Sequence, residues 1–152
     1  MRALIQRVKK GSVTISGEEY SRIGKGIVIL LGVKINDTDE DAKYLAYRSA
    51  NLRIFEDQSD KMNLSLLDIN GEALVVSQFT LYADTKKGHR PSYTEAAPPE
   101  LAAVLYNSFC EYLSETVGKE KGKTCQFRAM MDVEIINDGP VTIAVESKRK
   151  SG

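Results

Sequence analysis

The stretch GIVILLGV, residues 26–33, decides the class of fold. It is a continuous apolar run, rich in β-branched residues and bounded by glycines. Such a run suits a strand buried on both faces and falls far short of the roughly 20 residues of a membrane-spanning helix. Upstream, residues 2–8 (RALIQRV) and 12–16 (SVTIS) alternate apolar and polar side chains, as half-buried strands do. Gly17-Glu18 supplies a turn, and residues 20–23 a return strand. Downstream, Asn36, Asp37, Thr38 and Asp39 offer N-cap chemistry, and Ala42, Leu45, Ala46, Ser49 and Leu52 then fall at helical spacing. Residues 53–56 return to an extended pattern before a polar loop at 57–61.

Residues 63–69 and 73–82 read as two strands joined at Asn70-Gly71, a strong hairpin signal. Residues 83–99 form a connection with three prolines, longer than compact domains use without a functional reason. A second helix follows, with Leu101, Val104, Leu105, Phe109, Tyr112 and Leu113 on one face and Pro98-Pro99 at its start. Residues 118–124 are a flexible lysine-rich loop. Phe127, Ala129, Met131, Val133 and Ile135 alternate as a strand, and Val141, Ile143 and Val145 mark another after Asn137-Asp138-Gly139-Pro140. Hairpins prevail over a regular βαβ alternation, so the expected fold is α+β: a curved mixed sheet or partly closed β-barrel with two packed helices. Residues 1–147 are expected as a single domain and 148–152 as a charged, frayed tail.

Composition narrows the function. A chain of 152 residues buries about 69% of its unfolded surface, enough for one good core. At 42% hydrophobic and 28% charged residues it is an ordinary globular sequence, neither disordered nor collagen-like. Twenty-one basic and twenty-one acidic residues cancel, so any nucleic acid must be held by a local patch. Cys110 and Cys125 are too few for a disulfide framework and too far apart for a CxxC pair, which suits reduced thiols. His89 is the single histidine, which argues against a zinc site of clustered His and Cys; a catalytic triad would have to run through it. No Walker motif, GxGxxG or paired-histidine signature is present, so an ATPase, a dehydrogenase and a metalloprotease are disfavoured. Arg2, Arg7, Lys9 and Lys10 lead into no apolar signal core, which points to a cytoplasmic protein with no membrane partner.

Three stretches carry candidate chemistry. Ser77-Gln78-Phe79-Thr80-Leu81-Tyr82 reads first as a strand with a wet polar side. On that reading Val75, Ser77, Phe79 and Leu81 share one face, and Val76, Gln78, Thr80 and Tyr82 the other. Both faces mix apolar with hydrogen-bonding groups, as binding sites do. Asn137-Asp138-Gly139-Pro140-Val141-Thr142 reads first as a plain β-turn, although a Gly-Pro turn can also present its carbonyls to a ligand. Lys86, Lys87, His89 and Arg90, with Tyr93, are either a solvated loop or a phosphate-contacting patch.

Six segments taken together, MRALIQRV (1–8), LRIFED (52–57), KMNLSL (61–66), VVSQFTLYAD (75–84), KKGHRPSY (86–93) and NDGPVT (137–142), resemble the D-aminoacyl-tRNA deacylase family in order and spacing over nearly the whole chain. The resemblance implies a cytoplasmic homodimer that cleaves the ester between a D-amino acid and the terminal adenosine of tRNA, and also removes glycine mischarged onto alanine tRNA. It implies that Gly139-Pro140 is a cis peptide reaching into the partner subunit's site, where its carbonyls exclude L-aminoacyl esters. Arg7 would fix that motif, and Phe127 and Met131 would join Gly139, Pro140 and Arg7 in binding substrate. Ser77, Gln78, Phe79 and Thr80 would form the facing, catalytic wall. Backbone N–H groups around Phe79 and Thr80 would polarise the carbonyl, the tRNA 2′-hydroxyl would assist, and no metal or organic cofactor is implied. Thr80 as nucleophile lacks a base nearby in sequence. Arg128 stands where the family usually has glycine, and His89 where asparagine is more usual. Two other readings compete. One is the sister deacylase that edits L-alanine, against which Phe79 after Gln78, together with Arg7, weighs. The other is a non-catalytic nucleic-acid-binding dimer, against which the neutral net charge weighs.

Overall fold

The computed structural model describes residues 1–147, and the tail expected at 148–152 lies outside the described residues. The two strands expected at 2–8 and 12–16 are one strand of 14 residues, β1 (Arg2–Ile15). One edge of β1 carries β3 (Gly26–Gly32), antiparallel from Arg2↔Gly32 to Val8↔Gly26. The same edge then carries β2 (Glu18–Ile23), from Gly11↔Ile23 to Ile15↔Glu18. The other edge carries the longest strand, β8 (Asp132–Glu146), from Arg2↔Glu146 to Thr14↔Asp132.

β6 (Glu72–Ser77) runs parallel to β3, and β7 (Gly122–Thr124) parallel to β6. Parallel neighbours need long crossovers. The first contains helix α1 (Asp39–Asn51) and the small hairpin β4 (Phe55–Glu56) and β5 (Met62–Leu64); the second contains α2 (Pro99–Val117). Ser21 Oγ donates to the Thr124 carbonyl at 2.9 Å, which links β2 to β7 and nearly closes the mixed sheet into a barrel. The expected class, a curved sheet or partly closed barrel with two helices, is therefore what the chain forms. Closure also depends on Gly26, which pairs with Glu72 so closely that a Cβ would stand 1.7 Å from the Glu72 carbonyl oxygen.

Several local expectations fail for tertiary reasons. No hairpin forms at Asn70-Gly71: β5 pairs with β4, and β6 with β3 and β7. Ala73, Leu74, Val75 and Val76 are all buried, so β6 belongs in the interior of the sheet and not in an exposed two-stranded ribbon. The chain before it coils back instead, with the Gly71 N–H donating to the Leu66 carbonyl at 3.0 Å. The lysine-rich loop ends in β7. The strand expected over 127–135 begins only at Asp132; before it, the Ala129 N–H donates to the Gln126 carbonyl at 3.2 Å in a turn.

α1 starts as its sequence suggests: the Asp41 carboxylate accepts from the Thr38 N–H at 2.8 Å, half of a capping box. Asp37 serves elsewhere, accepting from the Met1 α-ammonium at 2.9 Å and the Lys34 N–H at 2.6 Å. Leu45 and Ala46 of α1 and Phe109 and Leu113 of α2 are fully buried, whereas Val104, expected on the same face, is exposed. Among the described residues no helix is long and apolar enough to cross a membrane.

α2 also reaches the sheet through one polar group. The Tyr106 hydroxyl donates to the Val75 carbonyl at 2.8 Å and accepts from the Cys125 N–H at 3.0 Å, tying α2 to the ends of β6 and β7. Burial raises this hydroxyl's pKa far above that of a free tyrosine, so it stays protonated and able to donate. Tyr106→Phe leaves both backbone groups without their partner and is expected to lower stability by about 1–3 kcal/mol, read as a reduced urea midpoint with unchanged slope.

Candidate active site

The first site segment begins where β6 runs out. The Gln78 N–H still donates to the Leu31 carbonyl at 2.8 Å, but β3 ends at Gly32. The chain there folds over the bare Cα of Gly32, where a Cβ would meet the Gln78 carbonyl and the Leu81 Cβ, both at 3.1 Å. The result is a 3₁₀ turn, Phe79–Tyr82, in place of the strand expected through Tyr82. The alternation of faces is lost with it: Ser77 and Gln78 are half-buried, Phe79 and Thr80 exposed, and Tyr82 buried. Gln78 Nε2 donates to Thr80 Oγ1 at 2.5 Å. The amides of Phe79 and Thr80 open the turn, where a helical segment has no intrahelical carbonyl for its first N–H groups. Ends of parallel strands are where sheets with crossover helices hold ligands.

The turn is clamped on both sides. Arg2 Nη1 donates to the Leu81 carbonyl at 2.7 Å, while its guanidinium lies 4.7 Å over the Tyr82 ring and pairs with Glu146. Burial pushes the Tyr82 hydroxyl up to about 12, against the opposing pull of the Arg2 charge. At the other end the Ser77 N–H donates to Cys125 Sγ at 3.4 Å, within the network centred on Tyr106. The Phe127 ring lies 5.8 Å from that of Tyr106, and Phe127 and Met131 both pack half-buried against the core. Tyr93, which sequence patterning did not single out for this place, packs edge-on to Phe79 at 5.1 Å. Cys110, next to Tyr106 on α2, is buried, and burial pushes its thiol up to about 12, an inert protonated group.

The second segment is an interruption in the longest ladder. Pairing runs Gln6↔Thr142 and then Val8↔Asn137, so Arg7 alone faces residues 138–141, which arch out of the strand. The stretch is thus an arch within β8 and not a plain turn between two strands. Arg7 is buried beneath it; Nε donates to the Asp138 carbonyl at 3.0 Å and Nη1 to the Ile54 carbonyl at 2.8 Å. The carboxylates of Glu56 and Asp138 stand at 3.5 and 3.6 Å from the guanidinium. The Gly139-Pro140 peptide is cis, and Gly139 adopts φ +123°. A Cβ on Gly139 would approach Arg7 Nη2 to 2.8 Å, so this position takes glycine on both conformational and steric grounds.

Arg7 and Gly139-Pro140 are therefore brought together, and Ser77, Gln78, Phe79 and Thr80 are brought together with Phe127 close by. The two groups do not meet. Arg2 lies under the turn and Arg7 under the arch, five residues apart on β1, about 17 Å of strand. Among the described residues no hydrogen bond or ion pair joins residues 138–141 to 77–80. Arg128 occupies the left-handed region at φ 67°, where glycine is the usual residue and another side chain costs about 1–2 kcal/mol. Among the described residues no three His, Cys, Asp or Glu side chains are grouped to hold a metal ion.

The sequence pattern of the family described as D-Tyr-tRNA(Tyr) deacylase matches residues 4–146. A "D-aminoacyl-tRNA deacylase" of Roseiflexus castenholzii is 57% identical over 147 residues, covering 97% of this chain and 92% of the relative. A solved structure described as "c-Myc DNA Unwinding Element Binding Protein" superposes with TM-score 0.93 at 45% identity, covering 98% of this chain and 100% of that one. Another, described as "a probable eukaryotic D-amino acid tRNA deacylase", shares the fold with TM-score 0.81 at 17% identity, covering 95% and 98%.

The arch depends on Arg7 for its contact at the Asp138 carbonyl, and the same guanidinium ties it to the Ile54 carbonyl. Arg7→Ala is expected to raise amide hydrogen exchange at Gly139, Val141 and Thr142 by about tenfold or more, since a bond from a charged donor contributes about 1.5–3 kcal/mol. Exchange along the β1–β3 ladder should change less, which mass spectrometry of peptic fragments resolves.

Proposed function

The chain belongs to the D-Tyr-tRNA(Tyr) deacylase family and is a hydrolase of the ester bond in D-aminoacyl-tRNA; from that premise we propose that its chiral selection uses a pocket completed by a second copy of the chain. The observation that carries this is the separation of the two site segments within one chain. Among the described residues β8 pairs with β1 alone, which leaves its other edge without a strand, and most of its residues are half-buried or exposed. A partner docked along β8 lays its Gly139-Pro140 arch against the turn at 77–82 and covers that edge. The arch then faces the substrate with backbone carbonyls, held by Arg7, and Phe127 and Met131 wall the side nearest Ser77.

In this pocket the α-amino group and hydrogen of a D-aminoacyl ester fit against the arch, and an L-aminoacyl ester drives its side chain into the backbone. Glycine has no side chain to exclude, so glycine mischarged onto alanine tRNA is accepted by the same filter. Water adds to the ester carbonyl carbon, and the oxyanion is held by the N–H groups of Phe79 and Thr80. The bond to the terminal ribose oxygen then breaks, with the neighbouring 2′-hydroxyl assisting proton transfer to the leaving oxygen. Thr80 is better suited to positioning than to attack: its hydroxyl is bonded to the amide of Gln78, which is no base. The scheme needs no metal or organic cofactor, and it places the protein in the cytoplasm with its tRNA substrate, as one domain over residues 1–147.

A second reading, nucleic-acid binding without chemistry, draws on the solved structure described as a DNA unwinding element binding protein. Incubation with D-tyrosyl-tRNA and L-tyrosyl-tRNA separates the two: rapid loss of the D-ester alone is expected, and stability of both esters would leave only binding. Thr80→Ala should retain most of the turnover number, and its complete loss with intact binding would make Thr80 the nucleophile. Gly139→Val should abolish turnover while sedimentation still reports the dimer.

A further inference from the structure

We propose that the loop at residues 84–93 grips the RNA backbone leading to the reacting 3′ end, with Lys86, Lys87 and Arg90 on its phosphates. This rests on the deacylase reading and extends it from the ester to the rest of the substrate.

The chain as a whole carries no net charge, so attraction for a polyanion has to be local. Lys86, Lys87 and Arg90 fall within five residues, all are exposed, and none makes an ion pair with the described residues. The carboxylates that flank them in sequence are otherwise engaged: Asp84 accepts from the Lys86 N–H at 3.0 Å, and Glu95 faces Lys34 at 3.7 Å. These cations are free to meet an outside anion.

The loop is also fixed to the catalytic turn. Its base is closed by two bonds, the Asp84 N–H to the Ser92 carbonyl at 2.7 Å and the Ser92 N–H to the Asp84 carbonyl at 2.9 Å. It departs from Ala83, the C-cap of the 3₁₀ turn, and returns at Tyr93, whose ring packs on Phe79. From Asp84 to Gly88 is four residues, at most ~14 Å of chain, so the backbone of each of these three residues stands within that reach of the base beside Phe79. An aminoacylated 3′ end seated at Phe79 and Thr80 brings its last phosphates to that distance. A phosphate contact contributes affinity that falls with salt, by about 0.7 per phosphate in the logarithmic slope for a single strand.

The test compares the unaltered protein with K86A/K87A/R90A on two substrates, D-tyrosyl-tRNA and the 3′-O-D-tyrosyl ester of adenosine, which has no phosphate. On tRNA the variant should lose about tenfold in kcat/KM at low salt, through KM, with kcat within about twofold. Its slope of log(kcat/KM) against log[KCl] should be shallower by about 2. Hydrolysis of the adenosine ester should be unchanged. An unaltered KM and slope on tRNA would overturn the proposal, as would an equal loss on the adenosine ester, which would place the loop in the chemistry itself. If the unaltered protein cleaves neither ester, the deacylase reading fails, and anisotropy with uncharged tRNA then decides the loop: weaker, less salt-dependent binding by the variant upholds it, and equal binding overturns it. Tighter binding to duplex DNA than to tRNA by the unaltered protein would also overturn it, in favour of a DNA surface.

Discussion

A buried guanidinium has to find acceptors. Arg7 sits on the central strand with its side chain out of water, and it satisfies itself on the carbonyls of Ile54 and Asp138. Leaving such a charge unpaired would cost several kcal/mol, so the surroundings are organised around it. β8 gives up its pairing for four residues opposite Arg7, and the released chain arches outward with Gly139 and Pro140 at the surface. The chain after α1 is held by the same group through Ile54. One side chain thus fixes the height of the arch, its distance from β1 and the placement of the β4–β5 hairpin behind it.

The other half of the site depends on where the parallel strands end. β6 is buried on both faces, so it can only sit inside the sheet, and its last residue delivers Ser77 to the rim beside β3. Gly32 then leaves room for the chain to bend across it, and Arg2 and Tyr106 hold the two ends of the bend. Exposed amides and the Gln78–Thr80 pair come from that bend and would be absent from a continuing strand. The loop that follows has its base on the same turn, so any pull of RNA on its cations acts directly at Phe79.

Both segments lie at exposed places of one sheet, separated along β1, and under the proposed reading a second subunit would be functional as well as stabilising. A pocket split in that way would have a rigid backbone wall from one copy and hydrogen-bond donors from the other. Neither wall would rely on a flexible side chain to tell D from L. That suits a task in which the right and wrong substrates differ only in the arrangement about one carbon.

What was legible in the chain were features with a short-range cause. The alternation of residues 2–8, the doubly buried run at 26–33, the Thr38 cap and the Pro98-Pro99 start of α2 each follow from side chains within a few residues of one another. The motifs that mark the family were legible for the same reason, being contiguous. Features with a long-range cause were not. Asn70-Gly71 looks like a hairpin until β3 claims β6, and the Ser77 to Tyr82 alternation looks like a strand until Gly32 ends its neighbour. Arg128 looks like a strand residue until its positive φ shows a turn, and Tyr93 reaches Phe79 only because Asp84 and Ser92 close the loop between them. By itself the sequence determined the class of the fold, the two helices and the family, since periodicity and motif are local properties. Only the tertiary structure decided that the arch and the turn lie apart in one chain, because strand pairing is a choice among distant partners, and the burial of β6 and the acceptors of Arg7 settle that choice.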